Sequence, residues 1–209
     1  MLLASNFASD KTIKEDKWKE LDTVLRNTLS LIANDDFASA LVAIEKIEKR
    51  PDNVFAMHDC LKAAMYYKIT EEYQTRDFEQ DFEDSIKNAI NLLMKEDSDK
   101  TNGDIYKAKR LQFLGSAYGY RGMYRTFKGE WGGAFMDGKR ANEVLEESYK
   151  LDNSLIDNKA GIGTYLYWRS AKAGIVKYLL FWGDRKQEGI NNIKEALENG
   201  KVIKLLAMG

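Results

Sequence analysis

The chain has 209 residues with a single proline, 44% hydrophobic and 31% charged side chains, which excludes a disordered chain and leaves room for one large domain or a short repeat array. Its net charge of −1 lacks the uniformly basic profile of a nucleic-acid binder. That neutrality is an average, because residues 1–104 carry 14 Lys/Arg against 22 Asp/Glu while residues 105–209 carry 18 against 11.

Residues 1–10 read as a frayed terminus; a trimmed secretory signal is the alternative, although the stretch lacks a basic start and a full apolar run. From residue 11 the chain reads as one helical domain, 11–209, acidic over 11–104 and basic, aromatic and glycine-rich over 105–209. Trp18, Leu21, Val24, Leu25, Leu29 and Ile32 recur at steps of three and four, which is one face of a helix. Asn34, Asp35 and Asp36 interrupt the pattern and offer caps. Phe37, Ala40, Leu41, Ile44 and Ile47 form the next stripe. It stops near Lys49, because the residue before Pro51 is pushed out of the α region. Further helices fit 54–73, 78–96, 104–128, 131–150, 155–181 and 185–199, with a polar loop over 97–103. No segment sustains strand alternation, and no Asn-Gly or Asp-Gly turn joins two β-branched runs. The fold class is all-α. No stretch approaches the ~18 apolar residues of a membrane span, and the longest candidate, Ile175 to Trp182, is interrupted by Lys177.

Catalytic and metal-binding constellations are poor. Cys60 and His58 are each alone of their kind, and positions i and i+2 do not share a helix face, so the two do not chelate from one turn. The adjacent pairs Asp35-Asp36, Glu71-Glu72 and Glu146-Glu147 diverge by ~100° on a helix. The acidic run Asp77 to Asp84 reads as a solvated helix start, favoured by the macrodipole, and its spacing is not that of a calcium loop. Residues 129–133 contain three glycines without the Gly-Lys-Ser/Thr of a phosphate loop and read as an interhelical turn. The expectation is a protein that is not an enzyme and takes no cofactor or metal.

The second helix of each pair repeats one spacing: Ala40/Ile44/Ile47, Ser85/Ala89/Leu92, Ala134/Gly138/Ala141 and Gly189/Ile193/Ala196. Phe37, Phe82 and Trp131 precede the first three copies by three residues, while Lys186 stands there in the fourth. Small residues let paired helices approach, and the aromatic fills the turn. The motif Asp36-Phe37-x2-Ala40-x3-Ile44-x2-Ile47 followed by Pro51, with Leu114-Gly115-x2-Tyr118, resembles the tetratricopeptide-repeat (TPR) family over roughly residues 20–200. Successive copies lie 45, 49 and 55 residues apart, longer than the usual repeat of about 34. The stretch Gly161-x-Gly163-x-Tyr165-x-Tyr167-Trp168-Arg169 is similar to bacterial TPR-like proteins of unassigned role, often exported. The resemblance implies a right-handed superhelical stack of about four antiparallel helix pairs, an α-solenoid, serving as a scaffold rather than a catalyst.

Twelve of the fifteen glycines and 14 of the 24 aromatic residues fall between Phe113 and Gly189. A glycine inside a helix costs about 1 kcal/mol relative to alanine, so Gly115, Gly119 and Gly122 need a return. Close approach of a neighbouring helix supplies it; a backbone site for a ligand is the alternative. On the same helix Phe113, Ala117, Tyr120, Tyr124 and Phe127 form a core stripe, and Lys107, Arg110, Leu114, Tyr118, Arg121 and Arg125 form a basic one. The first helix of the next pair sets Gly161, Tyr165, Trp168, Arg169 and Lys172 on one side. In TPR-like stacks the first helices line the concave surface. On that resemblance Tyr118, Arg121, Arg125, Tyr165, Trp168, Arg169 and Lys172 form a basic-aromatic groove for a peptide or protein partner of acidic character. Two alternatives stand beside it. The arginines pair with Asp or Glu on adjacent repeats and the tyrosines are core, or the aromatics enclose a pocket of a small-molecule binding protein or enzyme. The apolar segment after Gly200 reads as the start of another helix, packed on a second copy as a homodimer or leading into a longer chain.

Overall fold

The computed structural model describes residues 20–48, 56–95, 104–172 and 184–206, and among these it is helical throughout, with no strand. Helix α1 runs to residue 33 and is followed by α2 (Phe37–Glu48), α3 (Met57–Tyr73), α4 (Glu79–Lys95), α5 (Asp104–Phe127), α6 (Trp131–Leu151), α7 (Asn158–Lys172), α8 (Lys186–Asn199) and the short α9 (Ile203–Leu206). The expectations for residues 1–10, Trp18, Pro51, the 97–103 loop and the stretch from Ile175 to Trp182 lie outside the described residues.

The caps and stripes fall where the sequence places them. Asp36 starts α2 by accepting the Ser39 N–H at 3.2 Å on its Oδ1, as an N-cap carboxylate does. The first repeat spacing is wholly core, with Ala40, Ile44 and Ile47 buried. In the second, Ser85 and Ala89 are buried but Leu92 is 45% exposed and Leu93 takes the interior position. The aromatic at the turn behaves unevenly. Phe82 is buried and stacks on Tyr124 with centroids 4.1 Å apart, whereas Trp131 is 58% exposed and fills its turn only in part.

Each helix packs on its chain neighbour from α2 to α9, and the first helices of successive pairs also touch, α3 on α5 and α5 on α7. The long pair α5–α6 reverses through Lys128, Gly129 and Glu130, where Gly129 at φ 79° supplies the left-handed turn residue. One core runs from α1 to α6, and a smaller one forms around Leu145, Ile162 and Leu166. The glycines account for the close spacing in the second half. A Cβ on Gly115 or on Gly161 would lie 2.5 Å from the Leu145 side chain, so this leucine of α6 sits between two bare helix surfaces. Gly163 of α7 and Gly189 of α8 meet backbone to backbone. Gly119 is different: nothing stands within 4 Å of the position its Cβ would occupy.

Two polar ties hold the stack. Buried Ser148 donates to the Ala108 carbonyl at 2.7 Å and accepts from Asn158 at 2.8 Å, linking α6 to α5 and to the start of α7. Asp157 accepts the N–H groups of Lys201, Val202 and Ile203 at 3.2, 3.0 and 2.9 Å, which fixes the N-terminus of α9 against the α6–α7 turn. Val202 packs against the main core, so part of the apolar ending is covered within the chain.

Lys128 joins α4 to the α5–α6 turn. Its Nζ lies 2.8 Å from Glu79, 2.8 Å from Glu83 and 3.0 Å from Glu130, so the acidic run at the start of α4 is partly neutralised rather than only solvated. The Lys128 hydrogen bond, then that of Arg76, lowers the Glu79 carboxyl from 4.5. A lowered folded value means the contribution is present above the ordinary pKa and is lost as pH falls through the folded one. Lys128→Met is therefore expected to reduce stability by roughly 1–2 kcal/mol at neutral pH. In urea titrations the gap between variant and wild type should close as the pH falls below the ordinary carboxylate range.

Candidate functional site

The seven residues singled out by sequence divide into two groups. On α5 the basic stripe faces α4 and α6. Arg110 is buried and donates to the Leu93 carbonyl at 2.6 Å, Lys107 pairs with Glu147 at 2.8 Å, and buried Tyr118 reaches the Met94 sulfur at 3.6 Å. Arg121 and Arg125 converge on Asp137 of α6. Arg121 forms a two-pronged fork, Nε to Oδ2 at 2.8 Å and Nη2 to Oδ1 at 2.7 Å, and Arg125 Nη1 adds a bond of 2.6 Å to Oδ2. Asp137 is 0% exposed. A charge withdrawn so far from water persists only when paired and hydrogen-bonded, and the two guanidiniums supply both conditions. The same bond holds the Arg121 guanidinium still more firmly protonated than usual. Arg140, one turn along α6, places Nη1 3.8 Å from Asp137 Oδ1. Arg121 and Arg140 both lie over the Tyr118 ring, at 5.2 and 5.9 Å.

On α7 the group is more open. Tyr165 is half-buried beside Gly138, whose missing Cβ would stand 3.3 Å from the ring, and it tilts against Phe135 at 6.2 Å. Burial raises the Tyr165 phenol above its ordinary value, opposed by the adjacent Arg169. The Arg169 guanidinium lies 5.7 Å from the Tyr165 ring centroid, and its buried Nε has no hydrogen-bond partner. Trp168 is 52% exposed and meets Tyr167 edge to face at 5.9 Å. Lys172 closes α7, and its side chain lies outside the described residues.

The structure thus gathers Tyr118, Arg121 and Arg125 around Asp137 at the α5–α6 contact, and Tyr165, Trp168 and Arg169 along α7. Bonds of the first group run to α4 and α6, and those of the second to α6 and within α7. Sequence reasoning did not select Asp137 or Arg140. The available signal was an acid one position before Gly138 on the small-residue face that meets the basic stripe.

The core stripe of α5 is as expected at Ala117 and Tyr124, both buried, and half-buried at Phe113 and Tyr120, while Phe127 is 36% exposed. Burial pushes the Tyr120 phenol up to about 12; its ring packs on Tyr67 of α3 at 5.7 Å.

A polar cleft of about 480 Å³ opens elsewhere, between α2, α3 and α4, lined by Glu48, His58, Asp59, Asp81, Asp84 and Asn88 among others. His58 is buried there, with Nε2 3.5 Å from Glu48 and Nδ1 3.8 Å from Asp59. The lining is acidic, and neither Tyr118 nor Trp168 belongs to it. Among the described residues no cluster of three or more His, Cys, Asp or Glu is placed to hold a metal ion, and no helix is long and apolar enough to cross a membrane. No protein family, curated protein or solved structure matches this chain.

Proposed function

We infer that the chain is a non-catalytic interaction scaffold, built as a TPR-like stack of helix pairs, that holds a protein or peptide partner against the outer side of α7. Packing of each helix on its chain neighbour, with α3 on α5 and α5 on α7 also touching, supports this reading. The observation that carries the binding assignment is Arg169. It lies over Tyr165 beside the half-exposed Trp168, and its Nε is buried without a hydrogen-bond partner. A partially shielded guanidinium next to aromatic faces is the surface composition enriched at interaction hot spots. Arg121 and Arg125, by contrast, are engaged by Asp137, so their inner edges support the α5–α6 contact rather than the partner.

In affinity capture from cell extract, Trp168→Ala is expected to lose the captured protein by tenfold or more, since anchor residues of this kind contribute about 2 kcal/mol. Its thermal midpoint should stay within a few degrees of wild type. Equal capture by the variant would remove α7 as the contact surface. The homodimer expected through the C-terminal segment remains part of this proposal, and Ile203, half-buried at the start of α9, belongs to that segment.

A further inference from the structure

We propose that Arg140, with the outer edge of Arg121 and the Tyr118 ring, forms a carboxylate clamp for a partner polypeptide; this rests on the scaffold reading above. Three guanidiniums, those of Arg121, Arg125 and Arg140, surround the single buried carboxylate of Asp137. Of these three guanidiniums Glu130 approaches that of Arg125, at 3.8 Å, and it is also held by Lys128 at 3.0 Å. The other acids along α6 bond elsewhere: Glu143 faces Lys139 and Glu147 pairs with Lys107, while Glu146, still charged, accepts from the neutral amide of Asn142 on its own helix. The edge formed by Arg121 and Arg140 therefore keeps uncompensated positive charge.

Geometry leaves that charge available. Arg121 commits Nε and Nη2 to Asp137 and keeps Nη1. Arg140 makes one loose approach of 3.8 Å, and its side chain is 52% exposed. Both guanidinium carbons lie over the same tyrosine ring, 5.2 and 5.9 Å from its centroid, which restrains the two arginines before a ligand arrives. A monoanion balances the edge, which favours a carboxylate over a doubly charged phosphate. Met94, 56% exposed and bonded to the Tyr118 hydroxyl, offers apolar contact to the residue that carries it. The carboxylate is either an Asp/Glu side chain or a chain terminus.

The full chain, labelled with nitrogen-15, is titrated by NMR with three probes. Acetyl-Leu-Glu-Leu-amide presents a side-chain carboxylate, acetyl-Leu-Gln-Leu with a free terminus presents a main-chain one, and acetyl-Leu-Gln-Leu-amide presents neither. Saturable shifts of the Arg140 and Arg121 Nε–H signals are expected with one of the first two, and the responding probe identifies the source. Arg140→Gln should weaken that binding at least tenfold, and Lys139→Gln, which removes a neighbouring exposed charge, by less than twofold. No saturation with either acid, equal binding of the neutral probe, or equal loss in both variants overturns the clamp. Capture through Trp168 that survives in Arg140→Gln, with no probe binding to wild type, separates failure of the clamp from failure of the scaffold reading.

Discussion

Asp137→Ala is expected to destabilise the chain by about 3 kcal/mol, because removing one partner of a buried ion pair strands the others. The two bonds of the Arg121 fork and the single bond of Arg125 would then point into a space that no carboxylate fills. Their side chains are 22% and 33% exposed, so water relieves part of the penalty and the value sits at the lower end of the range for such pairs. For a chain of this size that corresponds to a fall in Tm of roughly 6–12 °C. A variant that replaces the whole group with apolar side chains, Asp137→Leu with Arg121→Met and Arg125→Met, should recover much of the loss, since an apolar filling carries no desolvation term. Differential scanning calorimetry of the three proteins, including wild type, reads this directly.

The second large effect concerns two glycines that total composition does not distinguish. Gly189→Ala would set a methyl group 2.6 Å from the Gly163 carbonyl oxygen and 2.8 Å from the Tyr167 nitrogen. Both are backbone atoms, so α7 and α8 must move apart, at a cost of about 2 kcal/mol or more. Gly119→Ala meets nothing within 4 Å and should instead stabilise α5 by about 0.5–1 kcal/mol through helix propensity. Opposite signs for the same substitution in chemical denaturation would show that backbone proximity, not glycine content, sets the fold of this half.

Much of the fold was legible because its signals are local. The 3.6-residue period, the Asp36 cap and the Gly129 turn each depend on a few neighbouring residues, and helix ends from α2 to α8 fall within about three residues of the positions read from sequence wherever they are described. Leu92 and Leu93 show where periodicity stops deciding. Both fit an apolar stripe, and the approach of α5 selects Leu93 for the interior.

The candidate site was less legible, for a related reason. Spacing placed Arg121 and Arg125 on one stripe with Tyr118 but could not say what that stripe faces. The deciding residue, Asp137, lies 16 positions from Arg121 on another helix. Its burial follows from the close α5–α6 approach that Gly122, 3.3 Å from the Ala134 carbonyl at its would-be Cβ, permits. On α7 the helical period put Tyr165, Trp168 and Arg169 on one side, where Trp168 is exposed and Tyr165 and Arg169 are half-buried.

The central claim is that the Asp137-facing edges of the α5 arginines hold the fold and that Arg169 of α7 anchors the partner. It is tested most directly by charge reversal at both positions, with thermal midpoint and affinity capture measured on the same samples. Arg121→Glu is expected to lower the midpoint strongly, by setting a second carboxylate against buried Asp137. Arg169→Glu should leave the midpoint within a few degrees and abolish capture. A stable Arg121→Glu protein together with an unfolded Arg169→Glu protein, or full capture by a folded Arg169→Glu protein, would contradict the account.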